Sequence, residues 1–576
     1  MFLLFVFLIT GKTSTAQSFT KVTTSPVSTT IGDSRSVNWI DVNNDGLIDL
    51  MITNGPAGGQ DNFLYINNGG GNFTAVTGDP IVSDFAPSDG ATWADMDNDG
   101  DIDAFVVNWH GVNNLLYINS GNDTFIQEFS GSPVNDLGYS ETASWGDYDN
   151  DGLVDLYVTN SDSILRNYLY HNNGGGAFTK ITTGTMVTDQ YKSRCVNWTD
   201  IDMDNDPDLF ITNENNQQEN IYRNDGAGIF AKVTAGAIVN NSGNTMSSSW
   251  ADIDNDGDLD VFLSNDGATN ALFRNDGNFN FSKLVNDTVS KTPGHSFSSA
   301  WSDIDNDGDV DLFVTNSFGA SLYNNFLYTN DGNGNFTRIS GNAIVSDFDW
   351  TYGCAFGDYD NDGFEDLAAA TCRFNGVDRS DLLYHNDGNN NNWITFHLVG
   401  MQSNKSAIGA IVRIKSVING NVVWQMREIS AQSSYCGQND LRVHFGIGNA
   451  TAVDSVIVQW PSDSVEYFTG ITVNQFLNII EGQGITGMNE IKTIDGITLY
   501  PNPTSGIVKL RNKQLFSRGD EIKITDKEGR LCYSMKVTSE EKEITINTIK
   551  QVDIGDMYLL HIYTSGKNHT FKMIRY

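Results

Sequence analysis

The chain has 576 residues, too many for one hydrophobic core, so several domains are expected. A net charge of −38 sets it against nucleic acid and anionic membrane surfaces as partners. Aromatics at 11% exclude an acidic disordered chain, and 56 Gly against 10 Pro predicts short strands joined by tight turns.

In chain order, Phe2 to Ile9 is an apolar run too short to span a bilayer, and small and polar residues ending Thr15-Ala16-Gln17 follow it. Residues 1–16 read as a secretory signal peptide with cleavage expected after Ala16, although a basic n-region is missing.

From Trp39-Ile40-Asp41 onward, one unit recurs seven times. Its first acids are Asp41, Asp95, Asp147, Asp200, Asp252, Asp303 and Asp358, spaced 51 to 55 residues apart. Each unit predicts four strands: one into the acid loop (Met246 to Ala251), one out of it (Leu156 to Asn160), a third (Asn62 to Asn67), and after a Gly/Asn turn a fourth (Asn72 to Val76). The seventh unit lacks its own fourth strand, while Ser18 to Val22 is an orphan copy of one. A closed seven-bladed β-propeller over 17–391, its last blade completed by the N-terminal strand, resolves both facts and leaves no open edge.

The loops follow D-x-[DN]-x-D-G-x-x-D. The expected metal ligands are Asp41, Asn43, Asp45 and Asp49; Asp95, Asp97, Asp99 and Asp103; Asp147, Asp149, Asp151 and Asp155; Asp200, Asp202, Asp204 and Asp208; Asp252, Asp254, Asp256 and Asp260; Asp303, Asp305, Asp307 and Asp311; Asp358, Asp360, Asp362 and Asp366. Four hard side-chain oxygens and a backbone carbonyl around one point suit Ca²⁺ better than Mg²⁺, and no His or Cys within the loops argues against zinc. About seven structural Ca²⁺ are expected. Asn43 should weaken the first site, and Asn205, standing for Gly in the fourth, tolerates the left-handed backbone the turn needs. The loops share the first half of an EF-hand loop but lack Glu at position 12.

Six residues before each first Asp stand Arg35, Asp89, Glu141, Arg194, Met246, Phe297 and Tyr352. With the first strand innermost, these form a ring at the channel mouth. Of these, Arg35, Asp89, Glu141, Arg194, Phe297 and Tyr352, with Trp350, are the expected ligand-binding residues; Trp109, His110, Tyr139, Tyr191, Lys192, His295 and Arg373 lie nearby, and such aromatic and charged groups suit a glycan or a peptide.

There are five Cys and no C-x-x-C. Cys354 and Cys372 flank the seventh loop, leaving open a disulfide or two buried thiols.

These seven units resemble the FG-GAP, or VCBS, repeats, the family that includes the propeller of integrin α-subunits. The resemblance implies structural calcium loops on one propeller face and ligands on the other. Residues 392–482 then change character: Ser403 to Ala410, Arg427-Glu428-Ile429-Ser430, Ser433-Ser434-Tyr435, Leu441 to Gly446 and Trp460-Pro461 resemble the ASPIC/UnbV domain of cartilage acidic protein-like sequences, with Ile447 where Leu is usual. Arg427, Glu428, Ser434, Tyr435, Asp440, Arg442 and His444 are candidates for a binding surface there. Cys436, His444 and Glu428 are a weakly supported nucleophile set beside the plainer reading of a small β-domain. After an expected linker at 483–496, Leu499-Tyr500-Pro501-Asn502-Pro503 and the basic terminal strand Lys572 to Tyr576 resemble the sorting domain of type IX secretion, 497–576, with a β-sandwich fold. That resemblance implies export, followed by release or surface attachment.

The fold class expected is therefore all-β. The function expected is a secreted or cell-surface calcium-binding protein that recognises a glycan or protein partner in adhesion. The alternative is a secreted hydrolase, lyase or cyclase with its site at the propeller mouth or the propeller–UnbV junction.

Overall fold

The structure is a computed structural model and describes residues 17–576 except 122–123, 320–322, 488–496, 501–506, 527–529, 548–556, 565–566 and 575–576. The expected signal peptide, most of the expected linker and most of the Tyr-Pro-Asn-Pro segment lie outside the described residues.

The described chain is almost wholly β. Seven four-stranded antiparallel units follow one another, each built around one acid loop. In the first, Ser34–Ile40 runs into the loop, Asp49–Asn54 leaves it, and Phe63–Asn67 and Phe73–Ala75 complete the blade. The innermost strands are buried along their length, as in Ser140–Gly146 and Thr351–Gly357. Their residues are mostly small, hydroxylated or aromatic, and the charged ones, Arg35, Asp89, Glu141 and Arg194, all fall at one register position.

The ring closes as the sequence predicts. Phe19–Lys21 pairs antiparallel with Leu382–Asn386, with Phe19 opposite Asn386, and so becomes the fourth strand of the last blade. The last blade then packs on the first. Trp39 Nε1 donates to Ala355 O at 3.2 Å, and Asn361 Nδ2 donates to Gly46 O at 3.2 Å.

Asn392–Val399 opens the second domain, in which two four-stranded sheets face each other. Its core, including Ile394, Phe396, Val412, Phe445 and Trp460, is continuous with that of the second and third blades through Met96, Phe105 and Trp145. The C-terminal domain is a second two-sheet sandwich around Val508, Ile522, Ile544 and Leu560. One of its sheets is formed by Glu521–Asp526, Leu531–Lys536, Met557–Thr564 and Lys567–Ile574, the last covering most of the terminal strand expected from sequence.

Candidate functional site

All seven acid loops share one geometry. The first Asp accepts two backbone N–H groups, those of the fifth and sixth loop residues: Asp45 and Gly46 donate to Asp41 at 3.0 and 2.7 Å. The ninth residue ties the loop to the blade, as Asp155 accepts from the backbone N–H of Tyr148 at 3.4 Å and of Asn172 at 2.7 Å. The fourth residue is left-handed throughout, with Asn44 at φ 55° and Asn361 at 59°. Asn tolerates that conformation because its short polar side chain bonds locally. Asn205 occupies the glycine position at φ 76°, as expected.

These hydrogen bonds leave some carboxylate oxygens without a partner. One oxygen each of Asp149, Asp202, Asp254, Asp305 and Asp360, the third residue in five loops, is buried with no hydrogen-bond donor. Burial, with like charges adding, pushes Asp103 up to about 8 and Asp155 and Asp208 up to about 9. Acid groups such as Asp95, Asp97 and Asp99 converge within 4.8 Å. Carboxylates this close and this dry fit a hard divalent ion. Two loops also receive an imidazole that sequence spacing did not reveal. His171 Nδ1 is 3.1 Å from Asp155, and His385 Nδ1 is 3.2 Å from Asp366, because the third strand of each blade passes beside its loop.

The fourth-position Asn residues also link blade to blade. Asn98 Nδ2 donates to Gly152 O at 2.9 Å and Asn306 Nδ2 to Gly363 O at 2.8 Å, in the pattern that Asn361 completes with Gly46. Met203 interrupts it, and instead meets Arg413 of the second domain at 3.7 Å. Asn in this position in six of seven copies was the available signal.

The second domain rests on this loop face. Lys405 N donates to Asn98, Ser406 Oγ lies 2.9 Å from Asp95 N, Asp200 N donates to Glu428, and Arg442 Nη2 donates to Asp358 O. His444 Nε2 lies 2.6 Å from Asn306 Oδ1, and burial holds its imidazole neutral with a pKa of about 3.

The ring residues do come together in the channel. Each sits at a β-bulge of its innermost strand, where the register shifts, as between Ser34 and Val37 or Thr351 and Cys354. A bulge re-aims a side chain, here into the channel. Sequence alone did not disclose that a segment of the second domain fills the centre of the ring. The Tyr435 hydroxyl lies 2.8 Å from that of Tyr352, 2.6 Å from a Glu141 carboxylate oxygen and 3.0 Å from one of Asp89, and accepts from Arg194 at 3.2 Å. Gly437–Gln438 adds in parallel to the first blade. Gly353 is required there, since a Cβ would stand 2.1 Å from Cys436 O. Asp89, Glu141, Met246, Phe297 and Tyr352 are buried, and Arg35, Arg194 and Trp350 are partly open.

At the channel end away from the loops, Phe318, Trp350 and Phe374 form an aromatic arc, with centroids 5.0 and 4.8 Å apart. Arg35 lies over Phe318 and Tyr352. A second cluster joins Trp109 to His110 and Tyr139. The nucleophile set is not assembled: Cys436 lies in the channel beside Glu141 and Gly90, whereas His444 and Glu428 sit on the loop face. Cys354 and Cys372 are separate buried thiols.

Comparison with known proteins agrees with this architecture. The profile described as FG-GAP-like repeat matches in six overlapping stretches, 41–106, 95–158, 147–211, 200–263, 252–314 and 303–369. The profile described as ASPIC and UnbV matches 400–486, and that described as secretion system C-terminal sorting domain matches 498–575. No curated protein matches the chain. Among solved structures, it is similar to one titled as the crystal structure of BBS1N in complex with ARL6DN, soaked with lead, at 12% identity and a TM-score of 0.40, covering 64% of this chain and 96% of that one. It is also similar to the Photorhabdus luminescens Tc holotoxin pore, mutation TccC3-D651A, at 9% identity and 0.29, covering 86% and 20%. The sorting domain directs the chain to the cell exterior by type IX secretion. The chain thus belongs to the FG-GAP-like repeat family, as an exported all-β protein with an ASPIC/UnbV domain seated on its repeats.

Proposed function

We propose that the protein is a calcium-stapled recognition module of the cell exterior, which presents the propeller face opposite its acid loops to a glycan or a protein partner. The observation that carries this reading is the asymmetry of the two faces. The loop face is covered by the second domain, while the other keeps Phe318, at 42% exposure, beside Trp350 and the half-buried Arg35. Aromatic surface with a guanidinium and nearby carboxylates suits such ligands. The ring residues Asp89, Glu141, Arg194, Phe297 and Tyr352 support that face from beneath.

Seven Ca²⁺ would be held by the acids named from sequence. Each site adds about 4 kcal/mol of stability at a thousandfold excess over its Kd. EDTA is expected to lower the melting temperature strongly, with Ca²⁺ restoring it better than Mg²⁺. An unchanged melting curve, with no metal by elemental analysis, would refute the calcium reading.

The recognition reading is tested by glycan-array and surface-protein capture screens with the full chain. Trp350→Ala and Phe318→Ala should weaken any captured ligand about tenfold at unchanged melting temperature. Arg194→Ala is a poorer probe, because Arg194 also pairs with Glu141 and Glu214 inside the channel. Retention of the ligand by both aromatic variants would overturn the assignment to this face.

A further inference from the structure

Between the loop face of the fourth to sixth blades and the second domain lies a cavity of about 140 Å³. Three indoles, Trp198, Trp250 and Trp301, line its propeller side, and Arg427, Glu428 and Arg442 are among its lining on the other. A cavity of about 150 Å³ accepts benzene, so this one has room for a single six-membered ring.

Its polar inventory is unsatisfied. The side-chain N–H groups of Trp198, Trp250 and Trp301 and the hydroxyl of Ser302 have no hydrogen-bond partner. Trp93 shares that lack away from the cavity, but elsewhere the equivalent indole is served, as Trp145 donates to Thr92 O at 3.3 Å. Arg427 is the larger anomaly. It gives one N–H to Met426 O at 2.8 Å and another to Gln425 Oε1 at 3.5 Å, and it stacks on Phe445. A guanidinium has five N–H donors. Arg442 beside it pairs with Asp440, whereas Arg427 has no carboxylate within 4.0 Å among the described residues. The indole N–H groups and the Ser302 hydroxyl are closed into the wall, whereas the half-buried Arg427 keeps N–H groups without a protein acceptor at the cavity, as a site for a polar ligand would.

Acceptors are also present. Glu365 lines the cavity and comes no nearer than 4.0 Å to His444 Nδ1, and Asn439, Ser430 and Ser433 complete the polar rim. Planar donors and acceptors of both signs around an aromatic wall match a ring with hydroxyls at its edge and C–H groups on its face.

We propose that this junction cavity binds one hydroxylated sugar ring, stacked against the tryptophan wall and hydrogen-bonded by Arg427 and Glu365. The site is distinct from the aromatic arc of the opposite face and does not depend on it.

The test uses the full chain with Ca²⁺ present and saturation-transfer NMR against glucose, galactose, mannose, N-acetylglucosamine and glucuronate, with cyclohexanol as a ring lacking the hydroxyl pattern. At least one sugar is expected to bind. Its affinity should fall about tenfold in Arg427→Met and about threefold in Glu365→Gln. Glu365→Gln keeps the shape of the side chain, so it remains informative if Arg427→Met fails to fold. The methyl glycoside and a disaccharide ending in the same sugar separate two sources: binding of the monosaccharide forms alone marks a free sugar, and binding of the disaccharide as well marks a chain end. Either result supports the site. Binding of none of the sugars, equal binding of cyclohexanol, or full retention in both cavity variants would overturn it and leave the cavity to water.

Discussion

Single positions of the repeat carry more than loop chemistry. Just before each third strand stands a residue that accepts a backbone N–H and reaches a hydroxyl of the next blade. Asn167 accepts from Asn160 N at 2.9 Å and donates to Ser193 Oγ at 3.0 Å; Asn62, Asn114, Asn270 and Asn325 do the same in their blades. The fourth and seventh blades place Glu219 and Asp381 there instead. Burial pushes Glu219 up to about 8 and Asp381 up to about 7. A carboxyl raised in the folded state favours folding when protonated. Its contribution is therefore full below the unfolded pKa near 4 and is lost as pH rises through the folded value. Asp381→Asn restores the pattern of the other blades without a buried charge. At pH 8 it should stabilise by an amount on the order of 1–3 kcal/mol, and at pH 5 by little. Melting temperatures at the two pH values check this, and a loss at pH 8 would contradict it. Both acids are visible in the sequence, but the hydroxyl each one meets belongs to the next blade and is not.

At the level of elements, the strand pattern was legible because alternation and turn residues are local. The acid loops were legible because four ligands fall within nine residues. Phe19–Lys21 could be assigned to the last blade by the economy of a missing strand and an orphan one. Its hold is specific: Gln17 Nε2 donates to Asn386 at 2.6 Å and Lys21 pairs with Asp347 at 2.8 Å. Deleting residues 17–25 should expose the edge of Leu382–Asn386 and convert monomer to aggregate, as read by light scattering. A deletion variant that stays monomeric with an unchanged melting temperature would speak against closure. The bulges of the innermost strands were not legible, because nothing in a run such as Ser34–Ile40 marks where its register slips.

For the molecule as a whole, the propeller and the second domain form one piece. Ser433 to Asn439 enters the channel, and Ser434 Oγ lies 2.8 Å from Ser247 Oγ and 3.0 Å from Ser298 Oγ. Two consequences follow from that burial. Tyr435→Phe removes the hydroxyl shared by Asp89, Glu141 and Arg194 and should cost about 1–3 kcal/mol, measurable by denaturant unfolding. The propeller alone, residues 17–391, should melt well below the full chain even in saturating Ca²⁺, since it loses the channel filling and the cover over its loop face. A propeller fragment as stable as the whole would show that the second domain is a passenger.

The sequence by itself determined the all-β class, the sevenfold unit, the ring closure, the positions of the acid loops and the export address, because each is written in periodicity or in residues close along the chain. Only the tertiary structure decided which propeller face stays open, what fills the channel and where the unpaired guanidinium of Arg427 lies. Those depend on contacts between residues as distant as Tyr435 and Asp89. Side chains in such contacts carry no shared spacing along the chain, so their partnership exists only once two separately folded surfaces exclude water between them.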